Sequence, residues 1–216
     1  MTEKDAIEMY RREFIGIGVK EPDAVIAECE RIAAEYECSG ISYSDYVTRA
    51  ESWDGRAWQS FRERVLKAAW EMLVSGISEA DIVRCLAEAA KLADASRCKI
   101  ETAAAAIVTA QKIGMSDKEV SKLIDRCGFA ARMTSVYGEE MVAGLALVMG
   151  PTKAAGRDVV SIPAAVARLA ERGWDTRKAM DGLLECAHKE AAQKCEAQTR
   201  RSFREVLTLI KNYILG

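Results

Sequence analysis

The chain has 216 residues, half of them apolar, with 31 basic and 33 acidic side chains and a formal net charge of -2. That size and apolar content allow a buried core without disulfide or metal staples, and the balanced charge supplies no field that would draw the chain onto nucleic acid or an anionic membrane. A single His and 7 Cys, no two within four residues, exclude the usual catalytic triads, zinc knuckles and redox dithiols, which need particular atoms at short spacing.

Apolar residues recur at spacings of three and four along most of the chain and strand patterns are nearly absent, so the predicted fold is all-α. Ile7, Tyr10 and Phe14 form the first stripe, closed by Gly16 and Gly18. Pro22 suits the first turn of a second helix carrying Val25, Ile26, Cys29, Ile32 and Tyr36, which ends at Ser39-Gly40. Ser42 with Asp45 makes a capping-box pattern for a short third segment. After Asp54-Gly55 a fourth helix takes Trp58, Phe61, Val65, Ala69, Met72 and Leu73 up to Ser75-Gly76.

From there the chain becomes rhythmic. Gly76-Ile77-Ser78 leads into a helix with Ile82, Leu86, Ala89, Leu92 and Ala93, then a second from Ile100 to Ile113, and Gly114-Met115-Ser116 repeats the opening. Ser116 with Glu119 is a capping box, and Val120, Ile124, Cys127 and Met133 are expected to face inward. A small-residue helix from Glu139 is expected to break at Gly150-Pro151. Gly156 and Ser161-Ile162-Pro163 restart the chain, and Val166, Leu169 and Ala170 lead to a stop at Gly173. Asp175 caps a last long helix on which Met180, Leu183, Leu184, Ala187, Phe203, Val206, Ile210 and Tyr213 mark an amphipathic rod with a polar middle. The sum is an array of antiparallel helical hairpins, roughly nine or ten helices with no sheet, whose breaks recur about every 40 residues. Residues 1–75 read as an N-terminal helical segment with an aromatic cluster, and residues 76–216 as an Ala/Gly-rich hairpin region.

Chemistry-bearing constellations are sparse. Glu185 and His188 have the Glu-x-x-His spacing of a di-metal site, but no second His exists to complete one, so a solvated helix face is the reading. His188 and Cys195 could share a side of the helix, yet no Gly-rich turn stands nearby to stabilise an oxyanion. Gly144 to Lys153 violates the phosphate-loop spacing, and Gly16-Ile17-Gly18 lacks a preceding strand. The thiols read as small buried hydrophobes. Two surfaces remain as candidates for binding a protein partner: the aromatics Trp53, Trp58 and Phe61, and the basic cluster Arg200, Arg201 and Arg204 beside Phe203. Core packing and charge mixing with Glu196 and Glu205 are the competing readings. The chain is therefore expected to be non-enzymatic and to need no cofactor. The first ten residues lack a signal-peptide pattern, and the most apolar windows, near 102–110 and 141–149, are too short to cross a bilayer.

Residues 76–188 resemble the conserved core of phage tail tape measure proteins. The likeness runs through the Gly76-led helix, the Leu92-Ala93-Asp94-Ala95-Ser96 stretch, the Ala-rich helix after it and the Gly114-Met115-Ser116 opening. It continues through Gly150-Pro151, the Ala154-Ala155-Gly156 turn and Gly173; Asp175, Arg177 and Lys178 replace small residues in the family's final turn. The resemblance implies a structural role: several copies inside the tail tube, templating its assembly and length and leaving ahead of the DNA, with location in the host cytoplasm or the virion tail. A fully helical chain of this length spans at most roughly 320 Å, which sets the scale of any tail it could gauge unaided. The expectation is thus either a segment of a larger protein or a compact relative that self-associates. The alternative from the residues is a free-standing helical binding protein that modulates a host protein.

Overall fold

A computed structural model describes residues 3–38 and 61–215, with side chains described for residues 4–36 and 61–195. The α-helices are α1 (Glu3–Gly16), α2 (Pro22–Cys38), α3 (Phe61–Val74), α4 (Ile82–Ser96), α5 (Ile100–Lys112), α6 (Asp117–Met133), α7 (Gly138–Ala154), α8 (Ile162–Glu171) and α9 (Thr176–Leu215), with a 3-10 turn at Val159–Ser161 before α8. Among the described residues there is no strand. Trp53, Trp58, Ser42 and Asp45 lie outside the described residues.

The helices form two layers. The odd-numbered helices pack in order, α1 on α3, α3 on α5, α5 on α7 and α7 on α9, and the even-numbered ones do the same from α2 to α8. Successive helices cross between layers as antiparallel hairpins, while neighbours within a layer run parallel. The polar links show this directly. Arg64 reaches Glu101, Lys99 N–H reaches Glu139, Tyr137 N–H reaches Thr176, Arg84 reaches Asp117 and Arg157 reaches Glu190, and these bonds span 33 to 40 residues. Helix pairs stacked this way are the layout of α-solenoids.

The same device ends each of the first four odd helices. At α3 the Gly76 N–H donates to Leu73 C=O and the Ile77 N–H to Met72 C=O, and at α5 the Gly114 and Met115 N–H groups repeat the pattern onto Gln111 and Ala110. Gly76 and Gly114 hold φ of 98° and 68°, a left-handed cap that Gly adopts without a Cβ penalty. Gly18 and Gly156 carry the same pair of bonds. The 40-residue rhythm of the sequence is therefore a rhythm of helix terminators.

Small residues let the layers approach. Gly138, at the start of α7, sits so close to the Ser96 carbonyl that an added Cβ would lie 1.8 Å from its oxygen, and Gly144 receives Met180 of α9. Ala103, Ala104, Ala106 and Ala110 on α5 are all buried. One cluster of buried side chains runs from Phe14 through Met72, Ile107 and Leu145 to Met180. The outermost helix α9 carries Arg177, Asp181, Glu185, His188 and Lys189 on its exposed side, which gives the array a polar end.

Three expectations are corrected. Helix α7 does not break at Gly150-Pro151 but continues to Ala154 with Pro151 inside it. Gly150 has no Cβ to clash with the proline ring, and the donor missing from Pro151 is withheld only from Leu147, which is exposed to solvent. Met133 faces outward at 69% exposure, because six residues past Cys127 turn the helix about 120° short of two full turns. Cys186 and Cys195 are exposed rather than buried, while Cys29, Cys85, Cys98 and Cys127 are core thiols as expected.

Candidate interaction surfaces

The helix ends are tied across the layers by polar side chains. Glu139, in the first turn of α7, accepts from the Lys99 N–H at 2.6 Å and the Thr102 hydroxyl at 2.5 Å, capping the start of α5. Thr176, first residue of α9, accepts the Tyr137 N–H at 2.8 Å and so caps α7. Lys153 Nζ donates to the Ile113 carbonyl at the C-terminal end of α5, where a cation opposes the helix dipole. Glu79 accepts from the Lys20 and Glu21 N–H groups, and these two donors hold its carboxyl below the usual range. Within single helices, Ser116 and Glu119 form the expected reciprocal cap on α6, and Asp175 accepts from the Lys178 N–H on α9.

The ion pair of Arg64 and Glu101 is buried. Arg64 Nη2 lies 2.9 Å from Glu101, with side-chain exposures of 4% and 19%, and Nε bonds the same carboxylate. It joins α3 to α5. Glu185 pairs with Lys189 at 2.6 Å along the exposed face of α9, which keeps its carboxyl below the ordinary value. His188 stands on that same exposed side. Among the described residues no group of three His, Cys, Asp or Glu is placed to hold a metal. Burial pushes the Cys29 thiol up to about 12 and Cys85 up to about 11, the opposite of what a nucleophile requires.

The concave features lie between helices. A groove of about 410 Å³ lies on the odd layer between α3 and α5, lined by Trp70, Glu71, Val74, Val108, Thr109 and Lys112. The Trp70 indole N–H is buried there without an acceptor, and Val74 at its edge is 54% exposed. Burial raises the Glu71 carboxyl above its ordinary value. A smaller cleft of about 200 Å³ separates α7, α8 and α9 near the Arg157–Glu190 pair.

Of the sequence candidates, Phe61 opens α3 and packs half-buried against the core. Trp53 and Trp58 lie outside the described residues. Arg200, Arg201 and Arg204 fall on the last five turns of α9, and their side chains lie outside the described set. The groove itself was not read from the sequence. Trp70 and Val74 sit off the core-facing stripe at helical spacing, and a large apolar pair on the side of α3 away from that stripe was the available signal.

The described residues thus form a two-layer helical array whose close contacts are made by small residues, with grooves between its helices. The chain belongs to the phage-related minor tail protein family, which matches residues 55–201. No curated protein and no solved structure matches the chain. Among the described residues no helix is long and apolar enough to cross a membrane.

Proposed function

We propose that the chain acts as a tape measure-like structural element of a phage or prophage tail, built into the growing tail as several copies that associate through their helices. It is made in the host cytoplasm, ends in the virion tail, works through protein contacts and carries out no reaction. The observation that carries this reading is the family match laid over a linear stack of helix pairs. Such a stack grows along one axis as units are added, which is what a length-setting component requires.

The test is a phage whose gene carries a second copy of residues 76–113 inserted after Ile113, a unit boundary closed by the Gly114 cap. Tail lengths are then read by electron microscopy. The reading predicts a shift of the whole length distribution, up to about 57 Å per copy in helical form. Tails of unchanged length in infectious particles carrying the longer chain would contradict it.

A further inference from the structure

Helix α9 outruns the array that it closes. It has 40 residues, about 60 Å of helix, against 17 residues in its layer partner α7. The two run parallel: Thr176 meets Tyr137 at the start, and Lys194 lies against Gly156, just past the end of α7. The 3-10 turn and α8 start beside Cys186 and Glu190 and lead back the other way. Residues 195–215 therefore continue as helix beyond the last layer neighbour, for roughly 30 Å.

The sequence of that extension fits a docking segment. Phe203, Val206, Ile210 and Tyr213 recur at three and four, one side of a helix. From Lys194 to Leu215 it holds five basic residues, Arg200, Arg201 and Arg204 among them, against two acidic ones, a net +3. The opposite end of the array has the opposite sign: residues 3–38, forming α1 and α2, hold ten acidic residues against five basic, a net -5. Next to α1 in the odd layer is α3, and beyond α3 lies the groove of Trp70, Val74 and Val108. The groove sets these apolar side chains beside Glu71, Thr109 and Lys112.

We propose that the α9 extension of one copy docks in the α3–α5 groove of a second copy, its basic residues toward the acidic α1–α2 end, so that copies join head to tail. The extension cannot fill its own groove, because α9 is one unbroken helix that packs on α7 and leaves the far end of the array, with α7 between it and the α3–α5 walls. Pairing of two extensions sets +3 against +3. A contact between different surfaces does not close on itself, so it yields open chains. The proposal rests on the self-association in the proposed function, whereas the tail-length experiment decides the tail role without reference to this contact.

Sedimentation velocity of the full chain tests it, with two variants that act on the two surfaces. Ile210→Asp changes the extension, and Ala105→Trp fills the groove from an exposed position on its lining. The parent chain is expected to gain mass with concentration, and to associate more weakly as salt screens the charged ends. Each variant alone is expected to associate at least about tenfold more weakly, with unchanged helicity. An equimolar mixture of the two is expected to form one-to-one dimers, since one intact groove and one intact extension remain. If Ile210→Asp loses helicity, Glu at Arg200, Arg201 and Arg204 together replaces it. A monomeric parent chain, parent-like association of Ala105→Trp, or a mixture that stays monomeric would each overturn the proposal.

Discussion

Gly138→Ala should destabilise the array more than any other Gly-to-Ala change in a helix. The new Cβ would stand 1.8 Å from the Ser96 carbonyl oxygen and 2.9 Å from its carbon, both backbone atoms in the last turn of α4. The α7 start must then withdraw from α4 by roughly 1 Å or more to restore an ordinary contact, and a close-packed interior transmits that displacement. The same residue positions Glu139, whose carboxylate caps α5, so the withdrawal also loosens bonds of 2.5 and 2.6 Å. Overpacking of this kind costs about 2–3 kcal/mol, partly offset by the better helix propensity of Ala. For a chain of this size the melting temperature falls by roughly 5–10 °C. Gly16→Ala is the control: nothing lies within 4 Å of its added Cβ and no proline follows it, so the change is expected to be neutral or slightly stabilising. Thermal unfolding followed by circular dichroism compares the two. A Gly138→Ala variant melting at or above the parent would refute the packing argument.

Removing one partner of the buried ion pair, Glu101→Ala, takes from the buried Arg64 guanidinium the carboxylate that its Nε and Nη2 both bond. The expected cost is about 3 kcal/mol by chemical denaturation, and the double change Arg64→Met with Glu101→Leu should recover most of it. Thiol labelling near neutral pH followed by peptide mass analysis should modify the exposed Cys186 and Cys195 rapidly, and Cys29, Cys85, Cys98 and Cys127 only after unfolding. The buried thiols also set an alkaline limit. Cys29 and Cys85 are raised from 9.0 to about 12 and about 11, so their contribution to stability is complete below 9.0 and is lost as pH climbs toward those values. On the acid side, Glu79 and Glu119 are held below 4.5 by backbone donors, so their stabilisation is present above that value and disappears as pH falls through the lowered range. Melting temperature against pH, with Glu79→Gln blunting the acid fall, checks both signs.

The elements were legible because terminators and caps are local. Gly76, Gly114 and Ser116 with Glu119 fix their helix ends through bonds within a few residues, and the sequence pattern named them correctly. The layer order was not legible. It depends on contacts some 33 to 40 residues apart, such as Arg64 to Glu101 and Arg157 to Glu190, and single charged residues at that spacing look the same in any helical protein. Pro151 misled because a proline in the last turn costs little when the carbonyl it abandons is near solvent. Met133 misled because the stripe was extended past the point where the helix had turned away. The groove went unread for a related reason. Trp70 lies on the side of α3 that the core pattern assigns to solvent, and it becomes a groove wall only once α5 packs beside α3.

Quantitative mass spectrometry of purified virions, with tails separated from capsids, tests the assignment to the tail most directly. Peptides of this chain should co-purify with the tails at several copies per particle, and particles lacking the gene should be without normal tails. Virions that contain none of it, or a deletion that leaves tails normal in number and form, would contradict the account.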